Sequence, residues 1–251
     1  MISKSGYAKA KRYVESHISL SEREINRVKK QFPGPCITIS RQGGIDIQPL
    51  CEKIMNDLGE SYSADWAYFD KELLQKVIED HHLPDRVQKF LNEEKRPVLN
   101  QMLNELLGIH PPIMELIHRM TRTILNLAEF GNVILVGRGS NLITSHLSNA
   151  VHFRFISPLN KRIEDLQNRK NISRDWAQKI IMKEDENRKG FLQRVFKKDI
   201  DDPAIYHAVI NLSKYSEKEL ISTIETIVKN KLPVNKKFNV VAEISGRTKV
   251  N

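Results

Sequence analysis

A short apolar run, Cys36-Ile37-Thr38-Ile39-Ser40, leads into Arg41-Gln42-Gly43-Gly44 and then Ile45-Asp46-Ile47-Gln48-Pro49-Leu50. Leu50, Ile54 and Leu58 recur at helical spacing, and Gly59 stands where a helix would stop. Strand, glycine turn and helix N-terminus form a geometry that holds phosphate. The N–H groups of the turn and the positive end of the helix dipole both face an anion. A complete phosphate-binding loop would add a Lys and a Ser or Thr at the helix start. Here those places read Gln48 and Pro49. Taken alone, two glycines after a strand are more often a tight turn.

Further along stand Arg162, near the start of one helical stretch, and Asp185 with Arg188 in the next. Positions three apart share a helix face, so an isolated D-x-x-R reads as a surface ion pair worth a few tenths of a kcal/mol. Arg162 alone reads as a solvated helix residue. Any chemistry in these side chains depends on the elements that position them.

Those elements alternate. Trp66 to Asp70 predicts a short aromatic strand ending on a carboxylate. Val133 to Val136 is a continuous apolar strand, as expected in a parallel sheet covered on both faces, and ends on Gly137-Arg138-Gly139-Ser140. Val151, Phe153 and Phe155 alternate in a fourth strand ending near Ser157-Pro158, and His207 to Asn211 forms a fifth. Residues 81–131 read as mostly helical with breaks at Pro97 and Pro111-Pro112. Ile117, Met120, Ile124 and Leu127 mark an amphipathic helix stopping at Gly131. Helices are predicted over Leu159 to Lys170, Ser173 to Asp199 and Ser216 to Lys231. Strand and helix thus alternate five times, which predicts a three-layer α/β domain with a five-stranded, mostly parallel sheet. Ligands in such sheets bind at the carboxyl ends of strands, where Arg41, Asp70, Arg138 and Ser157 fall.

Composition sets bounds on partners. The 251 residues are 40% hydrophobic and 28% charged, ordinary for a globular protein. The net charge of +9 lies in the ends: residues 1–30 and 229–251 each carry a net +5, so the body is near neutral. That distribution argues against a polybasic nucleic-acid platform. No run approaches the roughly 18 apolar residues of a membrane span, and the first residues lack an apolar signal core. Cys36 and Cys51 fit inert buried thiols in a reducing cytoplasm. His81, His82, His110 and His118 lack the partners and spacing of a metal site, so no metal ligands are assigned. Residues 1–35 read as a helical extension, with a capping-box pattern at Ser21 to Glu24 and an apolar stripe of Ile25, Val28 and Phe32. The stripe suits packing on the body or a protein partner. Residues 36–231 form the main domain, and 232–251 a basic, flexible tail.

In order and spacing, ITISRQGG (37–44), FDKELL (69–74), VILVGRGSNLI (133–143), SPLNKRIEDL (157–166), DENRKGF (185–191) and DPAIYHAVIN (202–211) resemble the cytidylate kinase-like family of P-loop nucleoside monophosphate kinases. The resemblance covers roughly residues 36–230. It implies a P-loop kinase core whose partners are nucleotides, using ATP and Mg2+ if active. Arg41, Gln42, Gly43, Gly44, Asp46 and Gln48 would form the ATP-phosphate loop. Asp70, Arg138 and Asp185 would serve the acceptor nucleotide beneath a helical region near 81–130. Arg162 and Arg188 would stabilise charge on the transferring phosphoryl group, a role suited to a reaction catalysed by positioning and cation clamps.

The chain departs from the family pattern S-R-x-x-G-x-G-G-R in the central loop. Asp46 and Ile47 stand at the second and third glycines, and Gln48 at the basic position. Asp46 brings a carboxylate toward the phosphates, Ile47 a β-branched side chain, and Pro49 removes a hydroxyl and an N–H. Proline at the first helical position leaves the fold intact. Two functions follow: phosphoryl transfer from ATP to a CMP-like acceptor, or a catalytically degenerate relative that binds a nucleotide or a protein.

Overall fold

The computed structural model describes residues 4–18, 34–70 and 111–232. In chain order these form α1 (Lys4–Ile18), β1 (Cys36–Arg41), α2 (Gln48–Tyr62), β2 (Ala67–Phe69), α3 (Pro111–Phe130), β3 (Val133–Val136) and α4 (Ser140–Ile143). Then come β4 (Ala150–Ile156), α5 (Leu159–Lys170), α6 (Arg174–Phe196), β5 (Ala208–Asn211) and α7 (Glu217–Lys231). All strand pairs are parallel, in the order β2-β3-β1-β4-β5, and helices complete a three-layer α/β fold.

Register explains why the apolar runs became strands. Ile37 lies opposite Ile134 and Val151, and Ile39 opposite Val136 and Phe153, so central β1 is buried on both faces. Parallel strands of this kind need continuous apolar sequence rather than alternation. The same register brings strand ends together: Gly137 N–H donates to Ile39 O at 2.9 Å, and Gln42 N–H to Phe155 O at 3.1 Å.

Polar groups are buried in these strands too, Thr38, Ser40, His152 and Arg154 among them. His152, buried on β4, shares a 2.8 Å hydrogen bond between its Nδ1 and Thr38 Oγ1. Its backbone N–H donates to His207 Nδ1 at 3.0 Å. Burial, reinforced by His207, pushes the His152 imidazole down to about 4.

Three details differ from expectation. Helix α2 runs through Gly59 to Tyr62 and ends on Ser63 in the left-handed region, φ 49°. Ala64 N–H returns to Gly59 O at 3.2 Å, and a Cβ at Gly59 would lie 3.3 Å from Ala64 O. The glycine makes room for the chain folding back after the helix instead of ending it. On the same helix Cys51 is buried where Leu50 is only partly so, and Met55 and Tyr62 join Ile54 and Leu58 in the core. Burial raises both cysteine thiols, which are free. Helix α6 stops at Phe196 because Lys197 turns left-handed, φ 54°, short of Asp199.

Helix α1 buries Ala10, Tyr13 and Val14, and Tyr13 packs edge-on against Phe69 of β2 with ring centroids 6.1 Å apart. Its hydroxyl donates to Gly131 O. The stripe of Ile25, Val28 and Phe32, the helical reading of 81–110 and the tail beyond Leu232 lie outside the described residues. Among the described residues no helix is long and apolar enough to cross a membrane.

Candidate functional site

The loop after β1 emerges at the carboxyl edge of the sheet, between the ends of β3 and β4. Arg162 of α5 and Asp185 and Arg188 of α6 all reach it. Arg162 Nη1 donates to Gly43 O at 3.1 Å and to Asp185 Oδ2 at 2.7 Å, and its Nε to Ser157 O at 2.9 Å. Asp185 Oδ1 accepts Gly43 N–H at 2.6 Å. Arg188 Nη1 donates to Arg41 O at 2.9 Å. The D-x-x-R pair therefore does not close on itself at the surface; each member grips the loop.

Two further residues take part. Glu184 Oε2 accepts Gly44 N–H at 3.3 Å and pairs with Arg188 at 2.9 Å. Arg169 Nη2 donates to Gly44 O at 3.1 Å and pairs with Asp46 at 3.5 Å. Sequence reasoning missed both. For Glu184 a signal was available, its i,i+4 spacing to Arg188; for Arg169 none was. Gly43 and Gly44 thus have their N–H groups on carboxylates and their carbonyls on arginines. The amides of the glycine turn are held by the protein's own carboxylates.

Helix α6 can do this because the loop presents no side chains to it. A Cβ at Gly43 would meet Ile181 O at 2.7 Å and Glu184 Cβ at 3.0 Å, and Gly44 takes φ +81° against the Ile181 side chain. Gly43 does not need a left-handed backbone, so Gly43→Ala tests the contact alone. We expect it to cost about 2 kcal/mol by overpacking, read by urea unfolding. A variant as stable as the parent would mean that α6 does not rest on the loop in solution.

The other expected residues occupy distinct places. Gln42 accepts Ser157 N–H on its Oε1 at 2.9 Å, tying the loop to the end of β4. Gln48 lies along α2, its side-chain amide donating to Glu52 at 3.1 Å. Asp46 is exposed and Ile47 buried, so the β-branched side chain points into the core. Asp70 follows β2, two strands from β1. Arg138, in the left-handed region at φ 56°, lies over the Phe191 ring of α6 at 5.8 Å. Asp70 and Arg138 thus sit on the β2–β3 side, and the α5–α6 clasp on the β4 side.

Deeper, Arg154 donates to Ser40 Oγ at 2.9 Å and pairs with Asp201 at 3.1 Å. Burial first, and then the nearby Arg41 charge, push the Arg188 guanidinium down to about 10. Burial also lowers Arg41 and Arg138.

A β2-β3-β1-β4-β5 parallel sheet with a glycine loop after its central strand and an arginine-bearing helix pair across it is a three-layer α/β fold consistent with a P-loop kinase-like domain. The chain belongs to the cytidylate kinase-like family, whose sequence profile matches residues 36–214. It is 24% identical over 160 residues to a cytidylate kinase of Methanocaldococcus jannaschii, covering 63% of this chain and 90% of that protein. It is 28% identical over 127 residues to a cytidylate kinase of Pyrococcus horikoshii, covering 50% of this chain and 63% of that protein. In fold it is similar to the crystal structure of an uncharacterized protein from Eubacterium ventriosum. The TM-score is 0.60 at 19% identity, covering 78% of this chain and 98% of the other.

Proposed function

We propose that the chain transfers a phosphoryl group from ATP to a nucleoside monophosphate of the cytidylate type. The observation that carries this is the convergence of Arg162, Asp185 and Arg188 on the loop after β1. Cations on a helix pair, held against a glycine turn, are what a reaction limited by positioning and charge requires. In this reading Gln42 to Gln48 form the donor loop, and Asp70, Arg138 and Asp185 face the acceptor. Arg162 and Arg188 hold the charge that develops between them. The cytoplasm, where both cysteines stay reduced, is the setting we assign it.

The polyphosphate and its ion need a change first. With Gly43 and Gly44 N–H groups on Asp185 and Glu184, a phosphate finds these two amides occupied until those carboxylates let go. Among the described residues no group of three His, Cys, Asp or Glu could hold a metal, so magnesium would arrive on the nucleotide. When bound, the ion neutralises charge on the phosphoryl oxygens.

The carboxylate-filled loop also favours a second reading, a degenerate relative that binds an acceptor-like nucleotide or a protein without turnover. Titrating ATP–Mg2+ and, separately, CMP into the protein, with CDP measured as product, separates the two. Phosphoryl transfer predicts heat from both ligands and CDP formed. CMP binding without ATP binding supports the second reading. Absence of both would remove the two nucleotide readings together.

A further inference from the structure

Four arginines at the carboxyl edge each have a carboxylate: Arg154 has Asp201, Arg162 has Asp185, Arg169 has Asp46 and Arg188 has Glu184. Arg138 lies over the Phe191 ring instead, and Arg41 has neither. Among the described residues its guanidinium makes no hydrogen bond or ion pair, and its Nε is buried without a partner. A partly buried cation with no hydrogen-bonded counter-charge is costly, and structures retain one mainly where function uses it. Asp70, Glu184 and Asp46 are close enough to support its charge, yet none pairs with it.

The position of the side chain indicates what it awaits. Arg41 lends its backbone carbonyl to the α6 clasp, but its guanidinium reaches the end of β3. Among the described residues, the point a Cβ would occupy on Gly137 has only Arg41 Nη1 within 4 Å beyond its chain neighbours, at 3.9 Å. Gly137 itself takes φ +79°. Among the described residues the unpaired guanidinium therefore faces a bare glycine, on the side of Asp70 and Arg138. A compact anion with several acceptor oxygens matches a planar fork of donors.

We propose that Arg41 binds the phosphate dianion of the acceptor nucleotide before Gly137, and so belongs to the acceptor side rather than to the ATP loop. This rests on the acceptor site proposed above, but the anion site is testable without it.

The test compares the full chain with Arg41→Gln and Arg41→Lys by calorimetric titration of inorganic phosphate, CMP, cytidine and ATP–Mg2+, with thermal unfolding alongside. Losing a charged hydrogen bond of this kind predicts an affinity for CMP and phosphate about 10- to 100-fold weaker in Arg41→Gln. Cytidine and ATP affinities stay unchanged, and Arg41→Lys recovers part of the loss. Without ligand, Arg41→Gln unfolds no lower than the parent, because a cation whose buried Nε has no partner has been removed. Arg41-dependent phosphate binding with no CMP binding would uphold the anion site while ending the nucleotide reading. Loss of ATP binding with CMP binding kept would overturn the proposal and return Arg41 to the donor loop. A parent that binds neither phosphate nor CMP would also overturn it. So would equal losses for CMP and cytidine, or a lower Tm without ligand, since either marks a structural arginine.

Discussion

Replacing Asp185 by alanine should lower stability by about 3 kcal/mol, the lower end of the range for breaking a buried ion pair. One substitution removes two interactions, the 2.7 Å pair with Arg162 and the 2.6 Å acceptor of Gly43 N–H. Arg162 keeps only 8% of its side chain exposed, so its charge is left with carbonyls alone. Asp185 is 34% exposed, which places the loss at the low end. For a chain of this size that is a fall in Tm of roughly 6–12 °C. Glu186→Ala, one residue away and exposed, should stay within about 0.5 kcal/mol. Asp185→Ala also frees an amide and a guanidinium that face each other across a glycine turn. Added inorganic phosphate should therefore raise the Tm of the variant more than that of the parent. Equal shifts would mean that the carboxylate does not stand where an anion could.

The α5–α6 pair carries its own small core of Ile163, Leu166, Ala177 and Ile181, separate from the main one. The far end of α6 packs instead through Leu192 with Leu142 and Ile200. The contacts of Asp185 with the loop are therefore distinct from the packing that holds the two helices together.

Much of this arrangement is legible in the chain. Val133 to Val136 can be nothing but a strand buried on both faces, since four successive apolar residues end at Gly137. Ser216 and Glu219 close a capping box that sets the start of α7. Arg162, Asp185 and Arg188 were reached through family motifs, and they do touch the loop. What sequence could not give is the partner of each group. Nothing local tells that Asp185 meets Gly43, 142 positions away, rather than Arg188 three positions on. Gly59 misled for a related reason, because the residue that needs its missing side chain, Ala64, arrives only when the chain turns back. The unpaired Arg41 was likewise hidden, since an arginine without a partner is a property of packing and not of spacing.

The second large effect concerns acid. His152 is neutral in the folded protein, held at about 4 against an ordinary value near 6.5. In the unfolded chain it takes up a proton near pH 6.5, so between those values the unfolded state binds more protons. Stability is therefore full above pH 6.5, falls by about 1.4 kcal/mol per unit below it, and levels off under pH 4, a loss of about 3 kcal/mol. His207 acts in the same direction: burial and then Lys231 lower it, and its Nδ1 accepts the His152 N–H. Protonating that nitrogen replaces an acceptor with a donor facing a donor. Urea unfolding of the parent and of His152→Gln from pH 7.5 to 4 reads the effect directly. The glutamine variant should start less stable at neutral pH, having lost the fitted ring beside Thr38, yet decline less steeply, so the two curves converge toward pH 4. Parallel curves would show that His152 titrates normally in the folded protein and that the burial between β1 and β5 is looser than its contacts indicate.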